Sequence, residues 1–239
     1  MGTKKNEFTK SQKRERQKVS QKRNNKTYND PSIKLQPKNE PQSRYLMSLE
    51  SKDLVFATGP AGTGKSYIAL AYAAKMFMEM KIDKIIITRP LVEAGNSIGA
   101  LPGEMEDKIA PYFQPPKDIL YELLGESHVD YLIKSKAIEF QPLEFLRGST
   151  FKNSMIILDE GQNVTVTGMR LFLSRIGGGC KVVVNGDVEQ SDLDRRDIDG
   201  MTDAMNKLDG IDELAIVEFE DEDIVRSKLA KKIIMAYRN

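Results

Sequence analysis

Eight residues constrain this chain more than any others. Gly59-Pro60-Ala61-Gly62-Thr63-Gly64-Lys65-Ser66 sits between a short apolar run, Leu54–Ala57, and an alanine-rich stretch beginning at Lys65. Strand, glycine-rich turn and helix in that order bring backbone N–H groups and a helix N-terminus to bear on one anion. Gly59, Gly62 and Gly64 permit backbone geometry closed to other residues. With Pro60, Ala61 and Thr63 they are expected to form a cradle for nucleotide phosphates. Lys65 then bridges the terminal phosphates, and the Ser66 hydroxyl ligates Mg²⁺.

The rest of the chain repeats the same alternation. Apolar runs at Leu54–Ala57, Ile85–Thr88, Ile138–Phe140, Met155–Leu158, Val182–Val184 and Leu214–Phe219 suit strands buried on both faces. Amphipathic stretches at 65–80, 104–111, 117–125, 167–176, 201–208 and 223–237 read as helices. This pattern predicts an α/β three-layer sandwich of the P-loop NTPase type, with a mostly parallel central sheet. Ligands of such sheets bind beyond the carboxyl ends of the strands. Residues just after each apolar run therefore carry the chemistry.

One such run, Met155–Leu158, ends in Asp159-Glu160. Asp159 is expected to hold Mg²⁺ through water, and Glu160 to act as general base on an attacking water. Another, Val182–Val184, leads into Gly186-Asp187-Val188-Glu189-Gln190. That segment resembles motif III of superfamily 1 helicases, which implies that the Gln190 amide contacts the γ-phosphate. Asn206-Lys207-Leu208-Asp209 matches the guanine-reading motif of GTPases, but its lead-in reads as helix rather than strand. It is assigned to a helix end capped by Gly210.

Charge is unevenly spread. Residues 1–30 carry ten lysines and arginines against Glu7, Glu15 and Asp30, a surplus of seven positive charges in a chain of net charge +1. With so few apolar residues this segment is expected to be a disordered basic tail, residues 1–35, ahead of one domain spanning 36–239. A basic tail adds salt-sensitive affinity for nucleic acid; the alternative is a solubilising end. Only one cysteine, Cys180, is present, and it reads as a core residue. There is no signal-like N-terminus and no apolar stretch of about 18 residues, so a cytoplasmic protein without a membrane partner is expected.

Several further segments carry a resemblance: Thr88-Arg89-Pro90, Glu93-Ala94-Gly95, Ile98–Gly103, Lys108–Tyr112, Leu158-Asp159-Glu160-Gly161-Gln162-Asn163, Leu173–Gly177 and Gly186-Asp187. Together with the glycine-rich loop, they make the chain similar to the PhoH-like proteins, P-loop ATPases related to the first motor domain of superfamily 1 helicases. The resemblance covers roughly residues 36 to 238. It implies that Gln42 reads the adenine edge, making ATP the nucleotide. Gly161 stands where the family usually has Ala, a departure read as minor, and Ser227 stands where it usually has His. An arginine finger adds about 10³–10⁵ in rate, and no second motor half is visible to supply one. A homo-oligomer with composite sites is therefore expected, with Arg175 and Arg226 as finger candidates and Arg89 third. The leading functional reading is Mg²⁺-dependent ATP hydrolysis coupled to RNA or single-stranded DNA. The alternative is a nucleotide-gated oligomeric binding module with little turnover.

Overall fold

The computed structural model describes residues 33, 35–91, 105–146, 148, 150–193, 199–225 and 229. Outside them lie the basic segment up to Ser32, most of the Thr88–Gly103 motif, Arg226 and most of the stretch expected to be helical at 223–237.

Each of the six apolar runs forms a strand: β1 (Leu54–Thr58), β2 (Lys84–Arg89), β3 (Ile138–Pro142), β4 (Ser154–Leu158), β5 (Lys181–Gly186) and β6 (Leu214–Glu218). They make one sheet in the order β3-β2-β4-β5-β1-β6, and every adjacent pair is parallel. Alternate residues feed opposite faces. Val55, Ile85, Ile87, Met155, Ile157 and Val183 join one core, while Phe56, Ile86, Ile156, Val182 and Val184 join the other. A strand buried on both sides has no polar face to show, which is why these runs are continuously apolar.

The first core is closed by α1 (Glu40–Ser51), α2 (Lys65–Met78), α3 (Met105–Leu124) and α4 (Glu126–Lys134), through Tyr45, Leu49, Leu70, Phe77, Leu120 and Val129. The second is closed by α5 (Val166–Leu173) and α6 (Gly200–Leu208), through Met169, Phe172, Met201 and Ala204. The result is the three-layer sandwich that the alternation predicts. Cys180 is buried ahead of β5. Gly210 follows the end of α6 at φ +86°, and the Asn206–Asp209 segment is helix end rather than strand end.

Three helical features depart from the sequence reading. First, α1 occupies a stretch for which no helix was read. Asn39 caps it, its Oδ1 accepting from Gln42 N at 3.0 Å, and Pro41 lies in the first turn, where its missing N–H costs nothing. Second, α4 occupies a stretch not read as helix. Third, α3 runs unbroken through Pro111, Pro115 and Pro116, where two shorter helices were expected. Pro116 has no N–H for the Tyr112 carbonyl one turn back. Arg89 supplies the missing donor, its Nη1 lying 2.9 Å from Tyr112 O. Burial of Phe113, Leu120 and Leu124 on the first core holds the helix across the break.

Candidate functional site

The sheet order puts β5 between β1 and β4, so the strands that carry the glycine-rich loop and the acidic pair are roughly 10 Å apart. Side chains close that gap. Ser66, in the first turn of α2, donates from Oγ to Asp159 Oδ1 at 3.0 Å. Burial first, and the neighbouring Glu160 charge second, push the Asp159 carboxyl above the ordinary aspartate value. The Ser66 hydrogen bond and the charges of Arg89 and Lys65 pull the other way.

The loop is shaped by what its glycines lack. Gly59 has φ +130°, and a Cβ there would lie 2.1 Å from the Phe219 carbonyl oxygen. Gly64 caps α2 in the left-handed region at φ +92°, where a Cβ would press on Gln42 Nε2 at 2.8 Å. Thr63 and Lys65 are buried, Gly62 and Gly64 line the neighbouring groove, and Pro60 and Ala61 form the turn between β1 and α2. Lys65 Nζ donates to the carbonyls of Gly59 (2.5 Å) and Pro60 (2.9 Å). Beneath the loop, Val225 N donates to Gly62 O at 2.9 Å.

Gln42 lies on the other side of the loop and is buried. Its Oε1 accepts from Lys38 N at 2.8 Å, and its Nε2 donates to Thr63 O at 2.8 Å. One partner is only a donor and the other only an acceptor, so the amide cannot flip. Each end keeps one free hydrogen-bonding position. Gln42 lines a groove of about 570 Å³ together with Leu35, Pro37, Leu46, Tyr67 and Glu122.

Glu160 begins a short 3₁₀ turn in the left-handed region, φ 57° and ψ 42°. That is costly for a residue with a side chain, and such strain gathers at functional sites. Its carboxylate is held from two sides. Oε1 lies 3.7 Å from Arg89 Nη2, and Oε2 accepts from Gln162 Nε2 at 2.8 Å. Gln190 ends a separate 3₁₀ turn, Val188–Gln190, with an exposed side chain. Buried polar groups ordinarily find partners. Among the described residues, Thr58 Oγ1, Thr88 Oγ1, Arg89 Nε and Asn185 Nδ2 are buried without one, and all four lie at the carboxyl ends of strands around this site.

Among the finger candidates, Arg175 makes its hydrogen bonds with segments other than the loop and the acid pair. Its carbonyl accepts from Phe151 N at the entrance to β4, and its guanidinium donates to Leu146 O. Leu146 lies just past the 3₁₀ turn, Leu143–Phe145, that follows β3. Arg226 lies outside the described residues. Arg89 is turned inward onto Glu160 and Tyr112 rather than outward. Two residues without an assigned sequence role, Gln162 and Asn163, are buried behind the acid pair. Polar side chains directly after a strand-end Asp-Glu are the signal that could have flagged them.

The donors fit one hard cation. Among the described residues no group of three or more His, Cys, Asp or Glu side chains could hold a metal. A lone hydroxyl beside a lone carboxylate instead suits Mg²⁺, which keeps several waters and takes phosphate oxygens from its substrate.

A family profile described as PhoH-like protein matches residues 34–238. The chain is 43% identical over 202 residues to Protein PhoH of Escherichia coli (strain K12), covering 84% of this chain and 57% of that protein. It is 42% identical over 211 residues to a PhoH-like protein of Bacillus subtilis (strain 168), covering 88% of this chain and 66% of that one. The chain thus spans a little over half to about two thirds of the length of these relatives. Among solved structures, the large terminase of a thermophilic bacteriophage, in complex with ADP, superposes with a TM-score of 0.50 at 16% identity. That match covers 82% of this chain and 49% of the terminase, and it shows a shared fold.

Proposed function

The chain belongs to the PhoH-like protein family, and from that membership and the site geometry we propose that it binds ATP with Mg²⁺ and hydrolyses it, with turnover coupled to RNA or single-stranded DNA. The observation that carries this reading is the 3.0 Å contact between Ser66 and Asp159. It joins the phosphate cradle to the acidic strand tip at one point, as a shared metal requires.

Phosphoryl transfer asks a protein mainly to position groups and stabilise charge. The loop N–H groups and the α2 N-terminus receive the phosphates, and Lys65 moves its ammonium from the Gly59 and Pro60 carbonyls onto them. Ser66 and Asp159 would hold Mg²⁺. The ion supplies neutralisation of phosphate charge when bound. Glu160 orients the attacking water and takes its proton, and Gln190 reports the γ-phosphate. The base sits in the Gln42 groove. With Oε1 and Nε2 oriented by Lys38 and Thr63, the free positions of Gln42 complement the amino group and ring nitrogen of adenine. The carbonyl of guanine would face an acceptor instead. Helicase kinship and the basic residues 1–30 support the coupling to nucleic acid.

An ATPase assay with RNA, with single-stranded DNA and without polymer tests the reading. Turnover stimulated by polymer is expected. Lys65→Ala should lose at least about 10²-fold in turnover and weaken nucleotide binding. Glu160→Gln should bind ATP normally while losing about 10²–10⁴-fold in turnover. Saturable ATP binding by the wild-type chain without any turnover would instead favour a nucleotide-gated binding module.

A further inference from the structure

Gln162 is 2% exposed, and every polar group of its side chain is engaged at the core of the site. Its Nε2 donates to Glu160 Oε2 at 2.8 Å. Its Oε1 accepts from Asp187 N at 3.1 Å, in the loop that follows β5. Its own carbonyl accepts from Ser191 Oγ at 3.1 Å, just past that loop's 3₁₀ turn. Asn163, next in sequence, repeats the link: its Oδ1 accepts from Asp192 N at 2.8 Å. The segment after β4 and the segment after β5 are thus stitched together by side-chain amides.

The packing leaves Gln162 little freedom. Gly186, the last residue of β5, admits it only because it has no side chain; a Cβ there would lie 2.9 Å from Gln162 Oε1. Met201, fully buried on α6, packs against both Gly161 and Gly186. Reversing the amide would set its N–H₂ against the Asp187 N–H and its carbonyl against the Glu160 carboxylate. The orientation is therefore fixed by chemistry as well as by space.

We propose that Gln162 is a positioning residue for ATP hydrolysis: its amide ties the Glu160 carboxylate to the Asp187 backbone, so the base is aimed only when the loop after β5 is in place. The inference rests on the reading of Glu160 as the base. Glu160 stands on a left-handed backbone with its side chain about two-fifths exposed, and among the described residues Gln162 makes the one hydrogen bond to its carboxylate. Arg89 reaches the other oxygen only at 3.7 Å. The same tie makes the loop that carries Gln190 and the base move as one unit. Contact of Gln190 with a terminal phosphate would then be felt at Glu160 through a single side chain.

The test is a double-mutant cycle on the full chain. Gln162→Leu keeps the volume and removes both hydrogen bonds, and Gln162→Glu keeps the acceptor for Asp187 but cannot donate to Glu160 as a carboxylate. Both are expected to bind a fluorescent ATP analogue within about threefold of wild type and to lose about 10–100-fold in kcat, with KM little changed. In a Glu160→Gln background, adding Gln162→Leu should cost nothing further, because the group being aimed is already disabled. Losses that multiply instead would overturn the proposal, as would wild-type kcat in either single variant. Loss of nucleotide binding in both would also overturn it, since the role would then be structural. If Glu160→Gln alone turns over ATP normally, the underlying reading of the base fails, a result distinct from failure of the Gln162 tie.

Discussion

The most exposed physical compromise in the molecule is one carboxyl group. Asp159 is pushed towards its protonated form by burial and by the negative charge of Glu160, yet it is the ionised form that a metal needs. A raised pKa in the folded state means that Asp159 contributes stability fully below its ordinary value, and that this contribution is lost as pH rises through the raised one. Metal binding runs the other way, because it draws on the carboxylate. The gain in melting temperature from Mg²⁺ with a nucleotide should therefore be largest near neutrality and shrink as pH falls towards the ordinary aspartate range. Thermal denaturation with and without the metal across that range checks it; a gain independent of pH would remove Asp159 from the metal site. Gln42 makes a second prediction at this scale. Replacement by Leu should weaken ATP binding about tenfold, the worth of one or two hydrogen bonds, and leave GTP binding nearly unchanged. Competition titration of the two nucleotides reads this directly.

Among the elements, β4, β5 and α6 meet at a place with no spare room. Gly161 and Gly186 face Met201, and a Cβ on Gly161 would come within 2.6 Å of Val184 Cγ1 and 3.2 Å of Met201 Sδ. The departure at Gly161, read from sequence as minor, is thus matched by local packing. Gly161→Ala should destabilise the fold by about 1–3 kcal/mol through overpacking, measured by denaturant midpoint. Trimming Met201 in the same chain should recover part of that loss, and no recovery would mean that the contact is not what limits the site. The long helix α3 shows a second coupling between elements. Its proline break frees the Tyr112 carbonyl, and the residue that satisfies it, Arg89, is the one that faces Glu160. A proline pattern that reads as a helix end is instead a notch in a continuous helix, filled from the neighbouring strand.

At the scale of the whole molecule, the carboxyl edge of the sheet gathers the loop, the acid pair and the Gln42 groove, while Arg175 is tied by its backbone to Phe151 ahead of β4 and by its guanidinium to Leu146 beyond β3. Held on Leu146, Arg175 is proposed to serve as the finger of a neighbouring copy. Light scattering with a non-hydrolysable ATP analogue should show an oligomer. Mixing Arg175→Ala subunits with Lys65→Ala subunits should restore part of the activity that each lacks alone, because some interfaces then pair an intact cradle with an intact arginine. A monomer with full turnover, or mixing without recovery, would remove Arg175 as the finger. Among the described residues no helix is long and apolar enough to cross a membrane.

Much of this was legible in the residues alone. The six strands, the three layers and the strand-end acids follow from local rules: a doubly buried strand must be apolar throughout, and a phosphate loop needs its glycines, Lys65 and Ser66 in fixed order. Those signals lie within a few residues of one another, so one dimension suffices to read them. Contacts between distant segments could not be read that way. Gln162 reaches Asp187 across 25 residues, Arg89 fills a gap left by Pro116, and Gln42 is oriented by Thr63, 21 residues on. Hydrogen-bond partners of buried polar side chains are chosen by which backbone groups the fold leaves unpaired nearby, and that is settled only when the strands take their order in the sheet.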